Sequence, residues 1–75
     1  MKDLVEYIAK SLASKPEDCK VTEVVEQELV ILRLEVAEED KGKIIGKQGR
    51  VAQVMRVLVR VAAVKEGTRA VLEIV

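Results

Sequence analysis

The spacing of apolar residues along the chain predicts two long helices. Residues 3–14 (DLVEYIAKSLAS) have apolar residues at the intervals that fall on one side of a helix, namely Leu4, Val5, Ile8 and Leu12. Pro16 ends this helix, because proline cannot continue a helix interior. A second helix is predicted from about Arg50 to Val64, with Gly67 just beyond its end. We expect its buried face to consist of Val51, Val54, Met55, Leu58, Val61 and Ala62.

Between and after these helices the pattern is typical of strands. VTEVVEQ and ELVILRLEV, residues 21–36, are rich in β-branched residues, and the second run alternates apolar and mixed positions from Val30 to Val36. We predict a hairpin that turns near Gln27 and Glu28. A short helix is predicted between the acidic residues 38–40 and Ile45. TRAVLEIV, residues 68–75, predicts the last strand.

This order, α-β-β-α-α-β, predicts one α+β domain over residues 1–75, with helices packed on one face of a three-stranded sheet. The chain has no histidine, and Cys19 is its only cysteine, which excludes a disulfide framework and a zinc site of the usual histidine and cysteine ligands. We therefore expect no metal or other cofactor. A lone thiol, together with the lack of a signal peptide or an apolar membrane span, predicts a cytoplasmic protein.

The net charge of zero conceals an uneven distribution of charge. Residues 1–40 contain five cations and eleven acids, whereas residues 41–65 contain seven cations and no acid. The local net charges are therefore −6 and +7, and the basic third of the chain should attract anions although the whole chain is neutral. Exposed cations on the second helix also have a simpler interpretation, because they commonly do no more than keep a surface soluble.

The glycines of KGKIIGKQGR, residues 41–50, limit what this basic region can bind. Gly46 and Gly49 flank a two-residue tip between two predicted helices, where a tight turn needs glycine whether or not it binds a ligand. The first amides of the following helix favour an anion such as phosphate. A P-loop is excluded because Gln48 stands where its hydroxyl residue belongs and no strand precedes it. The spacing of the glycines also excludes the dinucleotide-binding fingerprint.

At IIGKQGR, set within the α-β-β-α-α-β order, the sequence resembles a KH domain of the type II arrangement, and its length is similar to that of the stand-alone KhpA-like group. The resemblance covers essentially the whole chain and implies that the GxxG loop clamps the backbone of about four unpaired nucleotides. It implies that the bases face Ile44, Ile45 and one side of residues 31–34. The implied RNA-binding residues are Lys43, Ile44, Ile45, Gly46, Lys47, Gln48, Gly49 and Arg50.

We therefore predict a protein that binds single-stranded RNA and serves as a post-transcriptional regulator or RNA chaperone. Tyr7 is the only aromatic residue, so base stacking on aromatic rings is not expected. The resemblance further implies a homodimer, a heteromer with a larger KH protein of the KhpB (Jag) type, or both. The alternative is a protein-interaction module that dimerises through the Ile44–Ile45 region, with RNA binding secondary. An enzyme is not expected, because no nucleophile is paired with a base.

Overall fold

The computed structural model describes residues 1–75 and confirms the predicted order of elements. Short 3-10 turns at Pro16–Asp18, Glu38–Asp40 and Lys47–Gly49 join some of them. The main elements are α1 (Lys2–Leu12), β1 (Lys20–Glu26), β2 (Leu29–Glu35), α2 (Lys41–Ile45), α3 (Arg50–Lys65) and β3 (Arg69–Ile74). No helix combines the length and the apolar character that crossing a membrane requires.

The three strands form one mixed sheet in the order β1-β2-β3. β1 pairs antiparallel with β2, and the hairpin between them turns through Gln27, whose φ is 52°. β2 pairs parallel with β3, with Leu32 opposite Leu72. A parallel pair needs a long crossover connection, and here α2 and α3 supply it. β2 is therefore the central strand, and it has a neighbour on each side.

The core lies between one face of this sheet and the three helices. Val30, Leu32 and Leu34 of β2 are buried, whereas Arg33 and Glu35 are exposed, as the alternation of the sequence predicts. The neighbouring strands add Val21 and Leu72 to the same face, because each stands opposite a buried residue of β2. The helices contribute Val5, Ala9, Ile44, Met55 and Val59 to this cluster, and Cys19 joins it just before β1.

The predicted buried face of α3 is wrong at three of its six positions, whereas Val51 and Ala62 are half-buried and Val51 packs against the core. The residues of α3 that are buried are Ala52, Met55, Val59 and Ala63, so only Met55 is common to both sets. Val54, Leu58 and Val61 are 58%, 39% and 49% exposed. The helix carries apolar residues around most of its circumference, so periodicity alone does not select one side. Two of the four buried residues are alanines, so α3 buries small side chains at Ala52 and Ala63 and larger ones at Met55 and Val59.

Candidate nucleic-acid interface

The loop between α2 and α3 is a compact turn with three left-handed residues. Gly46 has φ 80° and ψ 171°, Gln48 has φ 58° and ψ 26°, and Gly49 has φ 73° and ψ 13°. The N–H of Gly46 donates to the carbonyl oxygen of Gly42 at 2.8 Å, and the N–H of Gly49 donates to that of Gly46 at 3.1 Å. These bonds close the end of α2 and hold the tip Lys47-Gln48 away from the core.

Gly46 is required by the junction itself. A Cβ atom at this position would lie 2.8 Å from the Cβ and 2.9 Å from the backbone nitrogen of Val51, which are closer than such atoms approach in proteins. The first turn of α3 therefore rests directly against the Gly46 backbone. Gly49 has open space around its Cβ position, so at Gly49 the left-handed backbone, and not crowding, favours glycine. The helix junction therefore needs glycine at position 46 whether or not the loop binds a ligand.

Most of the implied RNA-binding side chains reach the surface around this loop. Lys43, Ile45, Lys47, Gln48 and Arg50 are exposed, and Gly46 and Gly49 are half-buried. Ile44 is 0% exposed and belongs to the core, so its side chain cannot contact a ligand as predicted. Of the two isoleucines, only Ile45 offers apolar surface beside the loop, since this residue is 40% exposed.

The prediction that β2 lines the groove is also wrong. On the side that faces the helices, Leu32 and Leu34 are 0% exposed because the three helices cover the sheet there. Ile31 and Arg33 point to the opposite face of the sheet, away from the loop. A central strand has no free edge, whereas β3 lies at the edge of the sheet beside α3. A separate groove, lined by Leu29, Arg60, Val64 and residues 68–71, lies at the carboxyl end of α3, which is the opposite end of this helix from the loop.

The charges of the basic segment are largely unneutralised. Among its seven cations, only Lys41 forms a salt bridge, at 3.0 Å from Glu38. The other three salt bridges of the molecule join Lys10 to Glu6, Lys15 to Glu39 and Arg33 to Glu73. Lys43, Lys47 and Arg50 therefore surround the loop with positive charge and form no salt bridge, and the only carboxylate known to act on one of them is the buried Asp40, which interacts electrostatically with Lys43.

The first backbone N–H groups of α3 are less available to bind an anion than the sequence predicts. The N–H of Gly49 donates to Gly46, and the N–H of Arg50 donates to the carbonyl oxygen of Lys47. The tight turn satisfies these two donors within the loop. A ligand at this site would depend more on the side-chain cations, and on how closely it can approach the glycine backbone, than on amides at positions 49 and 50.

A buried carboxylate holds the residue that precedes α2 in place. Asp40 is fully enclosed, and its Oδ1 accepts hydrogen bonds from the Ser14 N–H at 3.1 Å and the Ser14 hydroxyl at 2.6 Å. Its Oδ2 accepts from the Lys15 N–H at 3.0 Å. The hydrogen bonds from Ser14 lower the pKa of Asp40 below its usual value. These hydrogen bonds connect the residues that follow α1 to the residue that precedes α2. They therefore help to fix the position of α2, which leads into the loop.

A family model described as KhpA/KhpB, KH domain matches residues 2–74. The chain belongs to this family. It is 56% identical to the RNA-binding protein KhpA of Clostridium perfringens and 48% identical to that of Caldanaerobacter subterraneus, in each case over 100% of both chains. The RNA-binding protein KhpA of Treponema pallidum is 44% identical over 97% of this chain and 91% of its own.

A solved structure supports the fold independently. It is the crystal structure of Era in complex with MgGDPNP and nucleotides 1506–1542 of 16S ribosomal RNA. The match covers 97% of this chain and 28% of the Era chain, with a TM-score of 0.55 and 19% sequence identity. At this identity the likeness concerns the fold alone. Together with the family match, it identifies the α-β-β-α-α-β arrangement as the type II KH fold.

Proposed function

We propose that residues 1–75 act as one KH domain that binds single-stranded RNA at the Gly46–Gly49 loop. The observation that carries this proposal is the coincidence of a left-handed glycine turn with three exposed cations that have no carboxylate partner. The close relatives are themselves named RNA-binding proteins. A phosphate is the anion that a nucleic acid offers at every nucleotide, and the two glycines of the turn, which have no side chains, let it approach the backbone closely.

The exposed side chains offer two kinds of contact to RNA, namely positive charges for phosphates and apolar surface for sugars and bases. Lys47 at the tip and Lys43 and Arg50 on either side are placed to neutralise successive phosphates. Ile45 is the apolar group closest in sequence to the loop, and a sugar or base can pack on it. Tyr7 lies on α1 and is 73% exposed, outside the loop region. Without an aromatic platform, binding rests on phosphates, and we expect little sequence selectivity from one copy.

The test is the double substitution Lys47→Asp with Gln48→Asp. It changes the charge of the tip by −3, and Asp is one of the residues that tolerate the left-handed backbone of position 48. The fold should therefore persist, as measured by circular dichroism and thermal melting. We expect the affinity for a short unstructured RNA to fall by at least about 100-fold, because favourable contacts to phosphates become repulsive.

A matched control is available elsewhere in the chain. Lys2→Asp with Gln27→Asp makes the same change in charge, and Gln27 is also a left-handed glutamine at a turn. This control variant should bind RNA nearly as well as the wild type. If RNA affinity survives the substitutions at the loop, or falls equally in the control, the loop is not the binding site.

We further propose a cytoplasmic role in post-transcriptional regulation or as an RNA chaperone. A single short site binds weakly, and joining two such sites raises the effective affinity without a new contact. This reasoning favours a homodimer, or a heteromer with a KhpB (Jag)-type KH protein, as the active form. The Ile44–Ile45 region is a poor candidate for a dimer interface, because Ile44 is buried and Ile45 alone offers little surface.

A further inference from the structure

β1 is an edge strand whose outer side has no neighbour. The sheet has the order β1-β2-β3, so β1 pairs with β2 alone. The pairing is regular from Lys20 to Glu26, without a bulge, and the strand contains no proline. Proteins often protect such an edge with a very short strand, a proline or a bulge, and β1 has none of these features. It therefore offers a row of unpaired backbone groups to another strand.

A hydrogen bond at the other edge of the sheet identifies these unpaired groups. The carbonyl oxygen of Leu34 accepts from the N–H of Val75, so Leu34 directs its backbone towards β3 and away from β1. Leu34 stands opposite Val21, and hydrogen-bonded and non-hydrogen-bonded pairs alternate along an antiparallel ladder. Val21, Glu23 and Val25 therefore direct their N–H and C=O groups to the free side of β1.

The second half of this edge is uncovered on both faces of the sheet. Val21 is buried in the core, whereas Glu23 and Val25, whose side chains lie on the same face, are exposed. Val25 is 62% exposed, and Val24 on the opposite face is 46% exposed. The helices therefore leave the residues from Glu23 to Glu26 free to pair with a further strand.

Two apolar rows cross the sheet and end at this edge. They are Val25–Val30–Ala70 on the face towards the helices and Val24–Ile31–Val71 on the opposite face. Side chains that stand directly opposite each other on neighbouring strands pack together. An added strand with apolar residues opposite Val24 and Val25 would extend both rows by one position and cover both valines.

Glutamates flank the two valines. Residues 23–26 read Glu-Val-Val-Glu, and neither glutamate forms a salt bridge. Glu23 shares one face of the strand with Val25, and Glu26 shares the other face with Val24. A lysine or arginine opposite each glutamate would form a cross-strand ion pair, whereas an acid there would be repelled. The edge therefore favours a segment in the order basic-apolar-apolar-basic.

We propose that β1 accepts an extended basic-apolar-apolar-basic segment of another protein as a fourth, antiparallel strand of the sheet. Main-chain hydrogen bonds give affinity in strand addition of this kind, and alternate side chains give specificity. The antiparallel direction is favoured because its hydrogen bonding is slightly more stable per residue. A second copy of β1 does not fit, since two antiparallel Glu-Val-Val-Glu segments would place Glu23 opposite Glu26. RNA does not fit either, because its phosphates would meet carboxylates that have no cation partner.

A short peptide tests the edge directly. The probe is a peptide of about eight residues, blocked at both ends, with Lys-Val-Val-Lys at its centre, and the backbone amides of isotope-labelled protein are followed by NMR. At about 1 mM peptide we expect the largest shifts at Glu23 and Val25, whose N–H groups gain acceptors. A peptide with Glu-Val-Val-Glu at its centre should bind at least about tenfold more weakly. Equal binding of the two peptides, or no shift at Glu23 and Val25, would overturn the proposal.

N-methylation of the probe distinguishes strand addition from other contacts. In the antiparallel arrangement the first valine and the second lysine of the probe direct their N–H groups to β1, whereas the first lysine and the second valine direct theirs to solvent. Methylating the first two N–H groups should abolish binding, and methylating the other two should leave it nearly unchanged. Loss of binding in both cases, or in neither, would refute an added antiparallel strand.

Charge reversal on β1 is the complementary test. Glu23→Lys with Glu26→Lys should exchange the preference, so that this variant binds the Glu-Val-Val-Glu peptide at least about tenfold more tightly than the Lys-Val-Val-Lys peptide. Both positions are exposed, so the fold should persist. Glu17→Lys with Asp18→Lys makes the same change in charge in the turn before β1 and should keep the wild-type preference. A control variant that also exchanges the preference would show an effect of net charge alone and would refute the site.

The inference does not depend on RNA binding at the loop. The peptide measurements contain no RNA, so their failure would leave the proposed function intact. Shifts at Glu23 and Val25 that are caused by RNA, and not by the peptide, would assign this edge to a nucleic acid and would overturn the proposal.

Discussion

The substitution Gly46→Ala tests how strictly the helix junction depends on glycine. Gly46 has φ 80° and ψ 171°, a backbone conformation that is essentially restricted to glycine. Holding alanine there costs about 1–3 kcal/mol in backbone strain. The new Cβ would also lie 2.9 Å from the backbone nitrogen of Val51, so relief requires a shift of the first turn of α3. Overpacking of this kind typically adds about 1–3 kcal/mol.

Taken together, these effects predict a loss of about 4 kcal/mol in the free energy of unfolding. That is a large fraction of the total for a chain of 75 residues, since stability amounts to about 0.05–0.15 kcal/mol per residue. The melting temperature should fall by at least about 15 °C, because 1 kcal/mol corresponds to about 4–8 °C in domains of this size. Urea unfolding followed by far-ultraviolet circular dichroism measures the difference directly.

Gly42→Ala is the matched control for this prediction. Gly42 lies in α2, and its Cβ position has no neighbouring atom within 4 Å. Alanine should therefore stabilise the protein by about 0.5–1 kcal/mol, through its higher helix propensity. The requirement for glycine at position 46 would be refuted if the free energy of unfolding of Gly46→Ala lay within about 1 kcal/mol of the wild-type value, or if Gly42→Ala lowered it equally.

Further predictions concern salt, acid and the single thiol. The logarithm of RNA affinity should fall with the logarithm of salt concentration at a slope of about −2 to −3, as expected for three or four phosphate contacts, and a flat response would contradict binding through phosphates. The pKa of Asp40 is lowered in the folded state, so its contribution to stability is complete above the unfolded pKa of about 3.9 and is lost as pH falls through the folded pKa. Asp40→Asn should therefore lower the melting temperature at pH 7 and reduce its fall below about pH 4; equal acid sensitivity in both proteins would contradict this assignment. Burial raises the pKa of the Cys19 thiol, so a thiol reagent at neutral pH should react at least about 100-fold more slowly with the folded than with the urea-unfolded protein.

Local patterns in the sequence were sufficient to predict the order of the elements. The alternation from Val30 to Leu34 predicts which side of β2 is buried, because successive side chains of a strand point to opposite faces. The end of α3 is also determined by residues that are close together in the sequence. The N–H of Gly67 donates to Val64 and the N–H of Thr68 donates to Ala63, which is a common way for a helix to end at glycine.

The packing of the helices could not be predicted in the same way. Apolar residues occur on two sides of α3, and periodicity does not distinguish the side that packs on the core from the side that is exposed. Ile44 and Ile45 are adjacent and chemically identical, yet only the position of α2 on the core decides that Ile44 is buried. The contact of Asp40 with Ser14 joins residues 26 positions apart, a separation that local patterns do not reveal.

The central claim is that RNA binds at the Gly46–Gly49 loop, and an NMR titration tests it most directly. Isotope-labelled protein is titrated with a short unstructured RNA while the backbone amide signals are followed. Binding at the loop predicts that the largest shifts occur from Gly46 to Arg50, and that the amides of β1 (Lys20–Glu26) stay nearly unchanged. Binding that moves the signals of β1 and leaves those of the loop in place would contradict it.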